Sequence, residues 1–192
     1  GFLSTLPLRH IKNGLAEVYK MALIADKSWW HQIEKQNGIR NLETAVQKSV
    51  ALKNQLVLAD PFDHHQRQKL NFGHSLGHAI EAMYLHAPDY LLHGEAIVCG
   101  MIMECHLSWQ LKRLQKKELD SVTQQLLTLG PLPDIREMDL DALFLKLTQD
   151  KKNANKRYHF SLLKGIGKCD VKVSVTEKQI RKAIDYYFSL AR

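Results

Sequence analysis

The amino-acid sequence predicts a mainly α-helical fold with one small β-hairpin. Apolar residues recur at the helical period of about 3.6 residues in six or seven segments, whereas only two segments alternate apolar and polar residues as strands do. The two strands are expected at 157–163 and 170–175, on either side of a Gly-Ile-Gly turn at 165–167. A chain of 192 residues with 45% hydrophobic residues can bury one core, so we expect residues 1–192 to form one soluble globular domain.

Seven helical segments are expected in chain order. They lie at 13–24, 41–60, 67–81, 96–111, 118–129 and 139–148, and from Thr176 to Phe188. A short amphipathic piece around Trp29 and Trp30 is expected to contribute packing. Asp139 suits the N-cap of the segment at 139–148, and Thr176 with Gln179 forms a capping box for the last. Pro61 ends the segment at 41–60, and Pro88 keeps the connection after the segment at 67–81 from being helical throughout.

Composition argues against several classes of protein. No apolar run approaches the ~20 residues that a membrane span needs, and the first residues lack the apolar region of a signal peptide. Cys99, Cys105 and Cys169 are odd in number and lack CxxC spacing, which argues against a disulfide framework and against a thiolate zinc site. We therefore expect a protein of the reducing cytoplasm.

The net charge of +7 comes from 27 basic and 20 acidic residues spread along the chain. The sequence carries no nucleic-acid-binding signature. Attraction of a small anionic substrate accounts for the same basic excess, so no nucleic acid or membrane partner is expected.

The most informative stretch is 67–81, RQKLNFGHSLGHAIE. Read as a helix, it places six polar residues on one continuous face: Asp63, Arg67, Asn71, His74, His78 and Glu81. Gly73 and Gly77 would each cost about 1 kcal/mol relative to Ala inside a helix, so close approach of a neighbouring helix or of a ligand should compensate. The alternative, a solvated surface helix, has no use for paired glycines.

Glutamate and histidine residues on separate elements suggest a catalytic metal site. Three protein ligands would leave an open fourth position on zinc. The candidates are Glu17, His74, His78 and His93. Spacing alone favours His74 and His78 as a pair, because residues four apart share one helix face. The residues by themselves leave open which of these two histidines binds.

Four segments carry a resemblance to a known family. TLPLRHIKNGLAEVYKMALIAD, LNFGHSLGHAIE, LLHGEAIVCGM and DKKNANKRYHFSLLKGIG resemble, in this order, the C-terminal domain of 3-dehydroquinate synthases. The resemblance covers essentially all 192 residues, and the combination of LNFGHxxGHAIE with LHGEA is specific. The family's N-terminal NAD-binding α/β domain is not in this sequence. The resemblance therefore implies the C-terminal half of the enzyme, inactive by itself and a homodimer in full-length form.

The resemblance also assigns roles to residues. It implies that Glu17, His74 and His93 bind zinc or cobalt and that His78 faces the substrate as a proton-transfer or hydrogen-bonding group. Residues at the family's substrate-binding positions are Lys20, Lys53, Asp63, Arg67, Asn71, His78 and one of the Lys151–Lys152 pair, with Lys152 preferred. Among these, Lys20, Lys53, Asn71 and His78 are expected to be catalytic. The family usually has Glu at the position of Asp63. It also usually has Gly within the segment 64–66, which reads HHQ in this chain.

The implied reaction is the NAD- and zinc-dependent cyclisation of 3-deoxy-D-arabino-heptulosonate 7-phosphate, a small anionic sugar-acid phosphate, to 3-dehydroquinate and phosphate, a step of the shikimate pathway. Two alternatives stay open. One is another sugar-phosphate cyclase, such as 2-deoxy-scyllo-inosose synthase, to which the altered Asp63 region would point. The other is a non-catalytic helical module that binds metal, since the chain has no dinucleotide-binding motif.

Overall fold

The structure is a computed structural model that describes residues 5–85, 87, 90–149 and 157–190. Within these residues the elements are α1 (Leu8–Ala25), α2 (Lys27–Gln36), α3 (Leu42–Ala59), a 3-10 helix (Gln66–Asn71), α4 (His74–Tyr84), α5 (His93–Gln110), α6 (Lys116–Leu127), α7 (Leu140–Gln149), β1 (Arg157–Leu163), β2 (Cys169–Thr176) and α8 (Glu177–Leu190). The predicted class, mainly helical with one antiparallel hairpin, is confirmed. No helix in the described ranges is long and apolar enough to cross a membrane.

Helix α5 lies at the centre of the core. Nearly all of its residues are buried, and it packs against α1, α4, α6, α8 and β1. A helix that is apolar on every side is stable only when other elements surround it. Cys99, Met101 and Met103 are fully buried. Trp109 is 37% exposed, because it lies in the last turn, where α5 leaves the core.

Local capping patterns were predicted correctly. Asp139 Oδ1 accepts hydrogen bonds from the backbone N–H groups of Asp141 and Ala142. Thr176 and Gln179 exchange side chain to backbone hydrogen bonds in a capping box at the start of α8. These contacts fix where α7 and α8 begin.

The hairpin follows its prediction closely. Strand β1 has the predicted bounds, and β2 is longer by one residue at each end. The strands pair antiparallel, with an irregularity between Phe160 and Leu162. Gly165 and Gly167 in the turn have φ near +80°, a conformation that glycine adopts at little cost.

The helix predicted over 67–81 is interrupted, so the single polar face is wrong. Gln66–Asn71 form a 3-10 helix, and α4 begins only at His74. Between them Gly73 has φ +78°, a left-handed conformation that redirects the chain. Asp63 lies in the preceding turn with φ +58°. Asp63, Arg67 and Asn71 therefore do not continue the helix face of α4.

The expected close approach of a neighbouring helix is confirmed at Gly77. A Cβ on Gly77 would lie 3.1 Å from the carbonyl oxygen of Ala96 and 3.2 Å from Cα of Ile97, both in α5. On the other side of the crossing, Gly100 of α5 faces the backbone of Gly73 and Gly77. The two helix backbones touch here, and larger residues would separate them.

We predict that Gly100→Ala destabilises the protein by about 1–3 kcal/mol or more, because the new Cβ would overlap the Gly73 carbonyl oxygen and the Gly77 nitrogen. Gly14→Ala in α1 is the matched control. Its Cβ meets nothing within 4 Å, so it should stabilise the helix by about 0.4–1 kcal/mol. Urea unfolding of both variants measures the difference, and equal stability would contradict the tight crossing.

Candidate metal centre

Three helices bring the predicted ligand residues together. Glu17 lies in the middle of α1, while His74 and His93 are the first residues of α4 and α5. Glu17 Oε1 lies 3.4 Å from Nε2 of His74 and 3.7 Å from Nε2 of His93. One carboxylate oxygen and two imidazole nitrogens thus face a common point.

Each of these histidines has its other ring nitrogen engaged. Nδ1 of His74 lies 3.1 Å from the carbonyl oxygen of Phe72, and Nδ1 of His93 lies 3.1 Å from Oε2 of Glu81. A carbonyl can only accept, so His74 donates from Nδ1, and the same assignment satisfies the Glu81 carboxylate. This tautomer leaves the lone pair of Nε2 directed toward Glu17, as in histidines that bind metal.

His78 is also close to this cluster. Ligand atoms of His74, His78 and His93 all lie within 4.8 Å of one another. The His78 ring centroid is 4.9 Å from that of His74 and 5.6 Å from that of His93, but the His78 side chain is exposed. The structure therefore brings together two candidate ligand sets, one with Glu17 and one with His78 as the third member.

The electrostatics of the cluster suit a metal ion. Burial raises the pKa of Glu17, but the charge and hydrogen bond of Lys20 more than offset it, so the pKa of Glu17 lies below its ordinary value. Burial and the charge of Lys20 lower the pKa of His74 to about 4. The carboxylate is thus ionised and the imidazole neutral near pH 7, as zinc ligands must be.

The surroundings of Glu17 Oε1 also indicate whether the site fits a metal ion. This atom is buried, and among the described residues it has no hydrogen-bond partner. An unpaired buried carboxylate oxygen is unfavourable unless a cation compensates it. A divalent ion between Glu17, His74 and His93 would do so.

Lys20 is buried beside the cluster. Its side chain is 4% exposed, and Nζ lies 2.7 Å from Glu17 Oε2 and 3.4 Å from His74 Nε2. Burial lowers the pKa of Lys20, while Glu17 opposes this shift and the charge of Lys53 adds to it. Lys53 itself is exposed on α3. Glu17 and Lys20 therefore do not form a solvent-exposed surface ion pair, although their spacing of three residues would allow one.

Asp60 organises the loop that precedes the 3-10 helix, a role that the sequence did not suggest. Its carboxylate accepts hydrogen bonds from the backbone N–H groups of His64, His65 and Arg67 at 3.0, 2.6 and 3.1 Å. Burial raises the pKa of Asp60, but these donors more than offset it and leave the pKa lowered. A single aspartate at the end of α3 thus sets the path of the loop.

The remaining substrate candidates lie on this loop and the 3-10 helix. Arg67 donates from Nη1 to the carbonyl oxygen of Pro61 at 3.1 Å. The carbonyl oxygen of Asp63, rather than its carboxylate, accepts a hydrogen bond from Gln68. Asn71 is exposed at the end of the 3-10 helix. The Lys151–Lys152 pair lies outside the described residues.

Two more polar residues near the histidines were missed. Glu104 of α5 is fully buried and accepts hydrogen bonds from the backbone N–H groups of Gly73 and Leu76. Burial raises the pKa of Glu104 to about 8, and the backbone donors oppose this shift. Asn13 of α1 accepts from the N–H group of Gly94 in α5. In the sequence, the only indication of this role is that Glu104 is the one acidic residue in the apolar segment 96–111.

Comparison with known proteins identifies the family. Residues 14–153 match the model of the 3-dehydroquinate synthase C-terminal family. The chain belongs to this family. The 3-dehydroquinate synthase of Helicobacter pylori (strain G27) is 36% identical over 186 residues, which cover 96% of this chain and 53% of the relative. The enzyme of the same name from Parabacteroides distasonis is 33% identical over 191 residues, 97% of this chain and 54% of the relative. The chain thus spans about half the length of these curated relatives.

Two solved structures of sugar-phosphate cyclases share the fold. The 2-epi-5-epi-valiolone synthase of Streptomyces hygroscopicus subsp. jinggangensis 5008, solved with NAD+ and Zn2+ bound, superposes with a TM-score of 0.81 at 28% identity, covering 99% of this chain and 54% of that chain. A 2-deoxy-scyllo-inosose synthase complexed with carbaglucose-6-phosphate, NAD+ and Co2+ gives a TM-score of 0.78 at 25% identity over 94% of this chain and 53% of that chain.

We predict that His74→Ala and His93→Ala lose bound zinc, because two remaining protein ligands hold the ion too weakly against metal-free buffer. His78→Ala should retain zinc if Glu17 is the third ligand. Atomic absorption after dialysis of the intact protein measures the metal content. A His78→Ala protein that purifies without metal would instead identify the three histidines as the ligand set.

Proposed function

We propose that this chain is the metal- and substrate-binding part of a 3-dehydroquinate synthase. One observation carries the proposal: Glu17 Oε1 faces Nε2 of both His74 and His93, and the Nδ1 atom of each histidine is already engaged. The proposed reaction of the whole protein converts 3-deoxy-D-arabino-heptulosonate 7-phosphate to 3-dehydroquinate and phosphate.

Glu17, His74 and His93 would hold a zinc or cobalt ion. When bound, such an ion would supply Lewis acidity that makes a substrate hydroxyl group more acidic. The solved relatives with Zn2+ and Co2+ support this choice of metals. The third protein ligand, Glu17, shares its carboxylate with Lys20, because Oε1 faces the histidines while Oε2 accepts from Nζ.

NAD would supply a transient oxidation of the substrate and return of the hydride, so that it is regenerated in each cycle. The solved cyclases contain NAD+. We assign no residue of this chain to the nicotinamide, and we propose that the part of the relatives that this chain does not cover binds it.

The basic side chains around the cluster would bind and orient the anionic substrate. The Lys20 ammonium group donates to Glu17 and would direct a remaining N–H toward a substrate hydroxyl group. Arg67 uses one N–H of its guanidinium group on Pro61, which leaves four donors for a carboxylate. Lys53, whose charge acts on Lys20, and Asn71 are both exposed and would add charge and an amide. Such fixed groups hold a flexible substrate in one reactive conformation.

His78 would transfer a proton. Its ring is exposed beside the rings of His74 and His93, so a ring nitrogen can reach a bound substrate. Its position one helical turn after His74 keeps it on the substrate side of α4. A neutral imidazole there would accept a proton from the substrate and could return it in a later step.

A second candidate function is another sugar-phosphate cyclase. One argument for it is Asp63, a position at which 3-dehydroquinate synthases usually have Glu. The other is that two solved sugar-phosphate cyclases share the fold. Identity to the curated 3-dehydroquinate synthases is higher, which supports the first candidate. Assays with the heptulosonate phosphate and with glucose 6-phosphate in parallel would separate the two.

We predict that the whole protein, supplied with NAD, zinc and the heptulosonate phosphate, releases inorganic phosphate, whereas the 192 residues alone do not. The isolated chain would lack the groups that bind the nicotinamide. A phosphate assay measures both proteins, with metal-stripped protein as the background. Release by the 192 residues at the rate of the whole protein would contradict the proposal.

We also predict that His78→Ala in the whole protein lowers kcat by about 10²–10⁴-fold, the usual cost of a lost acid–base group. His31→Ala is the matched control, because His31 is an exposed histidine of α2 that pairs with Glu34. It should keep the parent rate. Equal rates for the two variants would remove His78 from the mechanism.

A further inference from the structure

The two candidate ligand histidines share an unusual position. His74 is the first residue of α4 and His93 is the first residue of α5. Neither of the residues before them, Gly73 and Leu92, has a side chain that can accept a hydrogen bond. The first N–H groups of a helix have no partner within the helix, and a buried one is costly if it remains unpaired. Both helices therefore need acceptors from elsewhere.

Helix α5 supplies the acceptor for α4. Oε2 of Glu104 accepts from the N–H group of Gly73 at 2.6 Å, and Oε1 accepts from that of Leu76 at 3.3 Å. These two amides lie on either side of His74 in sequence. Glu104 is fully buried, and Gly77 and Gly100 allow the close crossing that brings its carboxylate to the start of α4.

Helix α1 supplies an acceptor for α5 in the same way. Oδ1 of Asn13 accepts from the N–H group of Gly94 at 2.5 Å, directly after His93. A Cβ on Gly94 would overlap the backbone of Asn13, so this contact requires glycine. Asn13 also lies one turn before Glu17 on the same face of α1. The contact thus fixes His93 relative to the helix that carries Glu17.

We infer that Asn13 and Glu104 are positioning residues of the metal centre, each of which holds one histidine in place by capping its helix from a neighbouring helix. The inference rests on the metal site of the proposed function. Together the two caps connect α1 to α5 and α5 to α4, the three helices that carry Glu17, His93 and His74. They set the separations among the three donor atoms, although neither residue belongs to the proposed ligand set.

The Asn13 contact is tested in the whole protein with Zn2+ in competition with a chromophoric chelator. Asn13→Ala should weaken zinc binding about 10–100-fold, the usual cost of a lost supporting contact at a metal site. Asn13→Asp keeps an oxygen acceptor and should stay within about threefold of the parent, as expected if acceptance of one N–H group is the role. Equal affinities for the parent and for Asn13→Ala would overturn the proposal for Asn13.

The Glu104 contact is tested with Glu104→Gln, whose single amide oxygen can satisfy only one of the two N–H groups. We expect a similar loss of zinc affinity and a shifted visible spectrum when Co2+ is bound, since the spectrum reports ligand geometry directly. If Glu104→Gln does not fold, Glu104→Asp takes its place, because it keeps both carboxyl oxygens but shortens the reach. If neither variant folds, Glu104 is a requirement of the fold itself and its positioning role is rejected.

Tyr187→Phe is the control for general destabilisation. It removes a buried hydroxyl that donates to the Pro133 carbonyl oxygen, a contact that does not involve Glu17, His74 or His93. It should lower the unfolding midpoint while leaving zinc affinity and the Co2+ spectrum unchanged. Equal loss of affinity in this control would overturn the proposal. A parent protein that binds no Zn2+ would reject the metal site itself, which is a separate result.

Discussion

The close crossing of α4 and α5 is the contact on which the arrangement of the site depends. Gly77 and Gly100 have no side chains to hold the two backbones apart, so the helices meet near the start of α4. Because α5 is buried on every side, it cannot shift without disturbing the whole core. Backbone contact at this crossing therefore limits how far the starts of α4 and α5, which carry His74 and His93, can move relative to each other.

Patterns within single segments predicted much of the fold. Helical periodicity identified the helices, and strand alternation gave the exact bounds of β1. The break before His74 was not predicted, because spacings of three and four residues fit a continuous helix as well as a 3-10 helix followed by an α-helix. Only the left-handed conformation of Gly73 separates the two cases, and a glycine in a sequence does not reveal its φ angle.

Some residues at the site could be predicted from the sequence, whereas others could not. His74, His78 and His93 were predicted from residue type and spacing, and the structure brings them together. Asn13, Asp60 and Glu104 were not predicted, because all three act on backbone amides. Asn13 and Glu104 reach amides 81 and 31 residues away in sequence, which no local pattern encodes. Burial of Lys20 likewise follows from packing, since its spacing from Glu17 also fits an exposed ion pair.

In the loop held by Asp60, the residue that fixes the backbone differs from the residue that presents a carboxylate at position 63. Three amides between His64 and Arg67 are fixed by the carboxylate of Asp60, so their course does not depend on the carboxylate of Asp63. Asp63 contributes its carbonyl oxygen to this frame, whereas its carboxylate extends from an exposed turn. In such a loop, a single substitution at position 63 can change the group presented to a ligand while the amides held by Asp60 stay in place.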